Sequence, residues 1–212
     1  HYSPCRLDRK PRARWAEYYG SNYGPLPKER LPRLVQPPKF QVLFNDKAVC
    51  DLVCRGIGVP LPGYLGALPA GAGAAQIEAM FATDAGRQQL IIKSRSGSAG
   101  RGIVVVRRRG ASLCLDDGGG ERPLGNFLLA EDAIVQEYIT QHPDIARIAP
   151  STVNTIRMLT LWTPSGEARV ISAVMRFGVG RAHVDNWSAG GVAVGVEVTH
   201  GRLMDTAFDK PG

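Results

Sequence analysis

The chain reads as an α+β protein built from two lobes of antiparallel sheet, and three features of its 212 residues predict this. Two β-branched runs, 90–92 and 103–106, enclose a loop punctuated by Gly97, Gly100 and Gly102, which is the patterning of a long hairpin. A later set of apolar runs over 155–162, 168–176, 192–198 and 202–206 is joined by the turns Pro164-Ser165-Gly166 and Thr199-His200-Gly201. Helical periodicity is confined to short stretches between these runs.

The elements follow in order. Residues 1–40 mix Arg6, Arg9, Lys10, Arg12 and Arg14 with Trp15, Tyr18, Tyr19, Tyr23 and several prolines. That composition predicts a short helix over 12–19 and then an extended strap packed on the domain. Asn45 is placed to cap a helix over 46–55, with Ala48, Val49, Leu52 and Val53 on one face and Gly56 as its stop. Residues 58–62 lead into a short strand, and 75–81 form a helix that turns Ile77, Met80 and Phe81 inward. After the long hairpin, a strand over 112–115 ends in the turn Asp116-Asp117-Gly118-Gly119-Gly120. A helix over 124–130 and an apolar strand over 133–139 complete the first lobe. The expected organisation is therefore a proline-rich basic segment, 1–40, a small lobe, 41–139, and a large lobe, 140–212.

Composition narrows the class of partner. With 44% hydrophobic residues the chain can bury a real core, and its net charge of +7 favours anionic ligands. The run Arg107-Arg108-Arg109 reads as a solvated face. Prolines and glycines break the most apolar region, so no stretch approaches the ~20 residues of a membrane helix and no membrane insertion is expected. Cys5, Cys50, Cys54 and Cys114 lack zinc spacing and fit reduced, partly buried thiols of a cytoplasmic protein. The four histidines show neither metal spacing nor a neighbouring nucleophile, and no Gly-x-Ser-x-Gly elbow is present. The start at His1 and the end at Lys210-Pro211-Gly212 lead us to expect a fragment.

The segment 93–102 carries the strongest chemical signal. Lys93 would place a fixed positive charge at the mouth of a loop in which Ser96, Gly97, Ser98, Gly100, Arg101 and Gly102 can turn backbone N–H groups toward one anion. It is not a P-loop, because the lysine precedes the loop and a strand follows it. The alternative is a solvent-exposed hairpin tip. Lys47 sits in a first helical turn, where the helix dipole disfavours a cation by about 0.3–1 kcal/mol unless an anion lies near; the alternative is a solvent-facing lysine. Arg157, between Ile156 and Met158, and Arg176, between Met175 and Phe177, interrupt apolar strands and invite a partner.

Taken in order, these pieces resemble the ATP-grasp superfamily: Asn45-Asp46-Lys47, then Gly56-Ile57-Gly58-Val59-Pro60, then Ile91-Ile92-Lys93 with its glycine flap, then Val135-Gln136-Glu137-Tyr138-Ile139. Residues 150–157, 184–191 and Asp209-Lys210 are similar to the sugar-transfer-associated branch, also called α-L-glutamate ligase-related proteins. The resemblance covers roughly residues 40–212. It implies an ATP-grasp fold whose two lobes sandwich ATP, phosphorylation of a carboxylate to an acyl phosphate, and capture by an amine-type acceptor. It would give Lys47 and Lys93 the α- and β-phosphates, the 96–102 flap the β- and γ-phosphates, and Gln136, Glu137, Tyr138 and Ile139 the adenine edge. Asp144 would reach the ribose hydroxyls, with surface solvation as the alternative. Arg157, Arg176 and Asn186 would act on the transferring phosphoryl group, with Arg181, Gly190 and Gly191 at the substrate.

The pattern departs from the superfamily at its end. The Glu-x-Asn element of the magnesium site does not follow Phe208, and Asp205 and Asp209 are the last carboxylates after Glu197. The second lobe is therefore expected to be incomplete, with magnesium ligands lying beyond Gly212. The leading expectation is an ATP-dependent carboxylate–amine ligase, or its incomplete core, active if the missing carboxyl-terminal metal site is supplied, in a context of cell-surface polysaccharide or sugar-conjugate assembly. The alternatives are a non-catalytic ATP-binding module and a basic nucleic-acid-binding domain using the amino-terminal arginines and aromatics; with the resemblance in hand, nucleic acid is not among the expected partners.

Overall fold

The computed structural model of the chain describes residues 11, 13, 38–98, 100–180, 184–186 and 190–209. The helix expected over 12–19 and Cys5 lie outside them. The chain divides into two compact units, His1–Val53 and Cys54–Gly212. In the first, a 3₁₀ turn at Pro38–Phe40 precedes α1 (Val42–Asn45) and the start of α2 (Lys47–Gly56), which runs across the division.

The cap of α2 is Asp46 rather than Asn45. Asp46 Oδ1 accepts the N–H groups of Ala48 at 2.9 Å and Val49 at 3.2 Å, while Asn45 is spent as the last residue of α1. The expected apolar face is only partly covered: Asp51 is buried, and Leu52 is 73% exposed.

The second unit carries two antiparallel sheets. The larger has six strands in the order β1-β6-β2-β3-β4-β5, formed by β1 (Tyr64–Leu68), β2 (Gln89–Ser94), β3 (Ile103–Arg109), β4 (Ser112–Asp116), β5 (Glu121–Pro123) and β6 (Ala133–Glu137). The smaller has four in the order β10-β9-β8-β7, formed by β7 (Thr155–Trp162), β8 (Ala168–Phe177), β9 (Val192–Glu197) and β10 (Arg202–Phe208). Helix α3 (Ala74–Ala82) packs Ile77 and Phe81 onto the larger sheet, and a short α4 (Pro143–Ala146) opens the second half.

Strand alternation decides which residues face the core. Along β2, Leu90, Ile92 and Ser94 are buried, whereas Ile91 and Lys93 on the opposite face are half-buried. Leu90 and Ile92 join Ile77, Phe81, Val106, Leu115 and Val135 in one cluster, and full burial of each such side chain contributes about 1.5–3 kcal/mol. The smaller sheet has a lesser core, in which Met175 and Phe177 meet Ala149, Ile145, Val194 and Val196.

Two further expectations differ from the structure. No helix forms over 124–130. Leu129 donates to Ala72 O at 2.9 Å and accepts from Gly71 N at 2.8 Å, Leu124 N donates to Leu113 O, and Leu128 bridges Gly73. The backbone groups that a helix would have used are thus spent on neighbouring segments, and Gly125, at φ 39°, turns the chain. The arginine run is not merely solvated either. Arg108 lies over the Phe81 ring at 5.3 Å, Arg109 grips Glu121 through two bonds of 2.6 and 2.8 Å, and Arg107 lies near Asp116, Glu121 and the Tyr138 ring. The hydrogen bond from Arg109 holds the Glu121 carboxyl below the usual carboxylate range.

A buried polar knot fixes the entry to β7. Asn154 Nδ2 donates to Ala149 O, and its Oδ1 accepts from Thr152 Oγ1 at 2.8 Å and Gly178 N at 3.1 Å. Gly178 is required there, since a Cβ would lie 2.3 Å from Thr152 Cγ2.

The β9–β10 turn is closed by Glu197, which accepts the N–H groups of Thr199 at 2.7 Å and His200 at 2.8 Å. Hydrogen bonds from Thr199, then from the His200 backbone, pull its pKa from the ordinary 4.5 down to about 2. A depressed carboxyl pKa adds stability that is present above the ordinary value and is lost as pH falls toward the folded one. Carboxyl-carbon NMR of Glu197 is expected to show a midpoint near 2, and a midpoint in the usual range would contradict this assignment.

Candidate functional site

A cleft of about 290 Å³ lies in the second unit, with walls drawn from both sheets. From the larger sheet come Ile91, Lys93 and Ile103; from the end of β6 and the segment after it come Glu137, Tyr138 and Ile139; from the smaller sheet come Thr155 and Arg176. The loop residues Val184, Asp185 and Asn186 and the flap residue Gly100 complete it.

Lys93 reaches the cleft because β2 alternation puts it on the face opposite the core. Its Nζ donates to Gln136 Oε1 on the adjacent strand at 2.9 Å, so a buried amide orients the ammonium group. Gln136 itself does not line the cleft. Glu137 lies against Gly63, where a Cβ would fall 2.4 Å from the carboxyl group, and its N–H donates to Gly63 O at 2.8 Å. Tyr138 carries Arg107 near its ring, 5.9 Å from the centroid.

The flap between β2 and β3 is shaped by three glycines. Gly97 N donates to Ser94 Oγ at 2.7 Å, and a Cβ on Gly97 would stand 2.7 Å from that oxygen. Gly100 and Gly102 have φ of 82° and 68°, which L side chains rarely adopt. Gly100 packs on the loop beyond β8, since its Cβ would sit 2.9 Å from Val184 Cγ1 and 3.1 Å from Asn186 Nδ2. Gly102 and Arg101 line a separate cavity of about 360 Å³, together with Gly100, Ser94 and Glu131. Ser96 is exposed with its hydroxyl 3.5 Å from Glu131 Oε2, and Ser98 is exposed with its carbonyl accepting from Arg101 N.

Arg176 is the best-held cation of the cleft. Its Nη2 lies 3.0 Å from Asp185 Oδ1 and donates to Thr155 Oγ1 at 2.8 Å; its Nη1 donates to Asn186 Oδ1 at 3.0 Å. The pair is shielded from water, at 15% and 7% side-chain exposure. Asp185 was not anticipated as a site residue. The available signal was the arginine itself, because a guanidinium in an apolar strand needs a counter-charge and Asp185 sits in the motif 184–191.

Arg157 lies two residues beyond Thr155 on the same strand face, opposite Val174, and is exposed outside the cleft. Gly191 N donates to Asn186 O at 3.1 Å and closes the loop; a Cβ there would stand 2.7 Å from Asp185 O. Gly191→Ala is therefore expected to cost about 1–3 kcal/mol by forcing backbone apart, read as a lowered Tm. An unchanged Tm would contradict that packing. Gly190, at φ 90°, is exposed. Lys47 is the first residue of α2 in the other unit, Arg181 lies outside the described residues, and Asp144 is exposed and paired with Arg147 at 2.6 Å.

Two antiparallel sheets, with a lysine on an inner strand and a glycine flap, form an α+β architecture consistent with an ATP-grasp fold. The chain belongs to the sugar-transfer associated ATP-grasp family, whose model matches residues 27–211. Comparison with curated proteins and with solved structures returns no match. Membership points to an ATP-dependent, ligase-type function. No helix among the described residues is long and apolar enough to cross a membrane.

Proposed function

We propose that the cleft binds ATP and that the protein is an ATP-dependent ligase joining a carboxylate to an amine-type acceptor through an acyl phosphate. The observation that carries this reading is the convergence of Lys93, Arg176, Asn186 and Gly100 on one cleft bordered by the Glu137–Tyr138–Ile139 segment. The six-stranded sheet, within 41–139, and the four-stranded sheet, within 140–212, serve as the two lobes.

The residues present suit a nucleoside triphosphate. Lys93, oriented by Gln136, supplies an ammonium for phosphate oxygens, and Gly100 lets the flap backbone pack close on Val184 and Asn186 at the edge of the cleft. The backbone beyond β6 offers polar groups to an adenine edge. Arg176 and Asn186 face the γ-phosphoryl group as a carboxylate oxygen attacks phosphorus and the bond to the ADP oxygen breaks. The amine then attacks the acyl carbon, and phosphate leaves. Arg181, Gly190 and Gly191 are assigned to the acceptor side, and Arg157, which lies outside the cleft, is dropped from the phosphoryl group.

The described residues gather no ligand cluster for magnesium, whose ligands the resemblance puts beyond Gly212. Among the described residues no group of three or more His, Cys, Asp or Glu side chains could hold a metal ion, and both Asp185 oxygens are taken by Thr155 and Arg176. The family description sets the context, which we take to be assembly of cell-surface polysaccharide or sugar conjugates.

Hydroxylamine trapping tests the chemistry. With ATP, magnesium, a panel of carboxylic acids and the carboxyl-terminal metal site supplied, the productive acid is expected to yield ADP and a hydroxamate in equal amounts. ADP release without hydroxamate would overturn the acyl-phosphate step.

A further inference from the structure

We propose that Asp185 is a positioning residue that aims the Arg176 guanidinium and thereby gives the cleft its preference for a nucleoside triphosphate over a diphosphate. This rests on the reading of the cleft as the triphosphate site.

The inference follows from a count of hydrogen bonds. A guanidinium has five N–H bonds in one plane. Nε–H reaches Thr155 Oγ1 at 3.3 Å, one on Nη2 reaches the same oxygen, one on Nη1 reaches Asn186 Oδ1, and Asp185 Oδ1 pairs with Nη2 as a charge 3.0 Å away. Among the described residues that leaves one hydrogen on each Nη without a hydrogen bond, and the Asp185 charge sets which way they point. Thr155 can accept from Arg176 because its own hydroxyl proton goes to Asp185 Oδ2 at 2.5 Å, and Thr155 N adds a second donor at 2.8 Å. The carboxylate thus receives two donors from one strand and clamps the arginine of the next. Arg176 and Thr155 are register partners across β7 and β8, so the clamp ties a loop to a rigid strand pair.

The same carboxylate cancels most of the arginine's charge, so Arg176 acts as a directed donor more than as a free cation. Two consequences separate this role from a structural one. Removing the carboxylate lets the guanidinium swing, which removes the γ-phosphate contact. It also leaves an uncompensated positive charge, so attraction for a diphosphate is retained or rises. A lesion that merely loosened the fold would weaken both nucleotides together.

The test uses the full chain in calorimetry, with ADP and adenylyl imidodiphosphate as probes, and side-chain NMR of Arg176. In the wild type the Arg176 Nη signals are expected to be resolved, because the three partners hinder rotation. In Asp185→Asn they are expected to merge, while the ratio of triphosphate-analogue to ADP affinity falls about tenfold, or 1.4 kcal/mol, with ADP binding undiminished. Unmerged signals with an unchanged ratio would overturn the proposal, as would an equal loss for both nucleotides. If Asp185→Asn does not fold, Thr155→Val removes the shared hydroxyl and must lower the same ratio; an unchanged ratio in that variant also overturns it. A wild type with resolved Nη signals that binds neither nucleotide would instead sink the reading of the cleft and leave the clamp standing.

Discussion

Arg176→Met is expected to destabilise the folded chain by about 3–5 kcal/mol, the usual cost of leaving a buried carboxylate without its counter-charge. Asp185 keeps two donors from Thr155 but loses its cation in a site where its side chain is only 7% exposed. Met175 and Phe177, on the opposite face of the strand, keep the small core of the second sheet, so the loss is expected to come from the stranded charge. The double variant Arg176→Met with Asp185→Leu is expected to recover much of the loss, because it removes the stranded charge as well. Urea denaturation measures both. A single variant as stable as the wild type would mean that the ion pair is solvated in solution, contrary to the geometry described.

The second large effect falls on ligand binding. Lys93→Met is expected to weaken ATP about 10- to 100-fold, the loss of a charged hydrogen bond worth roughly 1.5–3 kcal/mol. Stability should change little by comparison, because Lys93 lies on the cleft face of β2 and Leu90, Ile92 and Ser94 carry the core side. Gln136→Leu should weaken ATP less, since the ammonium survives and only its orientation by the 2.9 Å bond is lost. Equal effects from the two substitutions, or none from Lys93→Met in calorimetry, would remove Lys93 from the proposed site.

How much of this was legible in the sequence depends on the range of the interaction. Strands such as β2 and β8 were legible because burial on one face imposes a period of two on the residues themselves, and the turns at Gly166 and Gly201 declare positive φ through composition. The segment 124–130 was misread because Leu124, Leu128 and Leu129 carry helical spacing, while their backbone partners at Ala72, Gly73 and Leu113 are distant in sequence. For the same reason Arg107–Arg109 looked like an exposed run: the carboxylates and rings that neutralise it come from β4, β5, α3 and Tyr138. Arg176 announced its need for a partner, but the choice of Asp185 and Thr155, thirty residues apart, exists only once β7 and β8 are paired. The cap of α2 shifted by a single residue, since Asn45 and Asp46 are both competent caps and α1 claimed the first.

The most direct test of the central claim, a triphosphate held between Lys93 and Arg176, is an amide NMR titration of the labelled chain with adenylyl imidodiphosphate. The account predicts saturable shifts at Gly100, Tyr138, Ile139 and Asn186, with Gly118 and Gly119 unmoved. Shifts that never saturate, or that gather in the β4–β5 turn and spare the cleft, would contradict it.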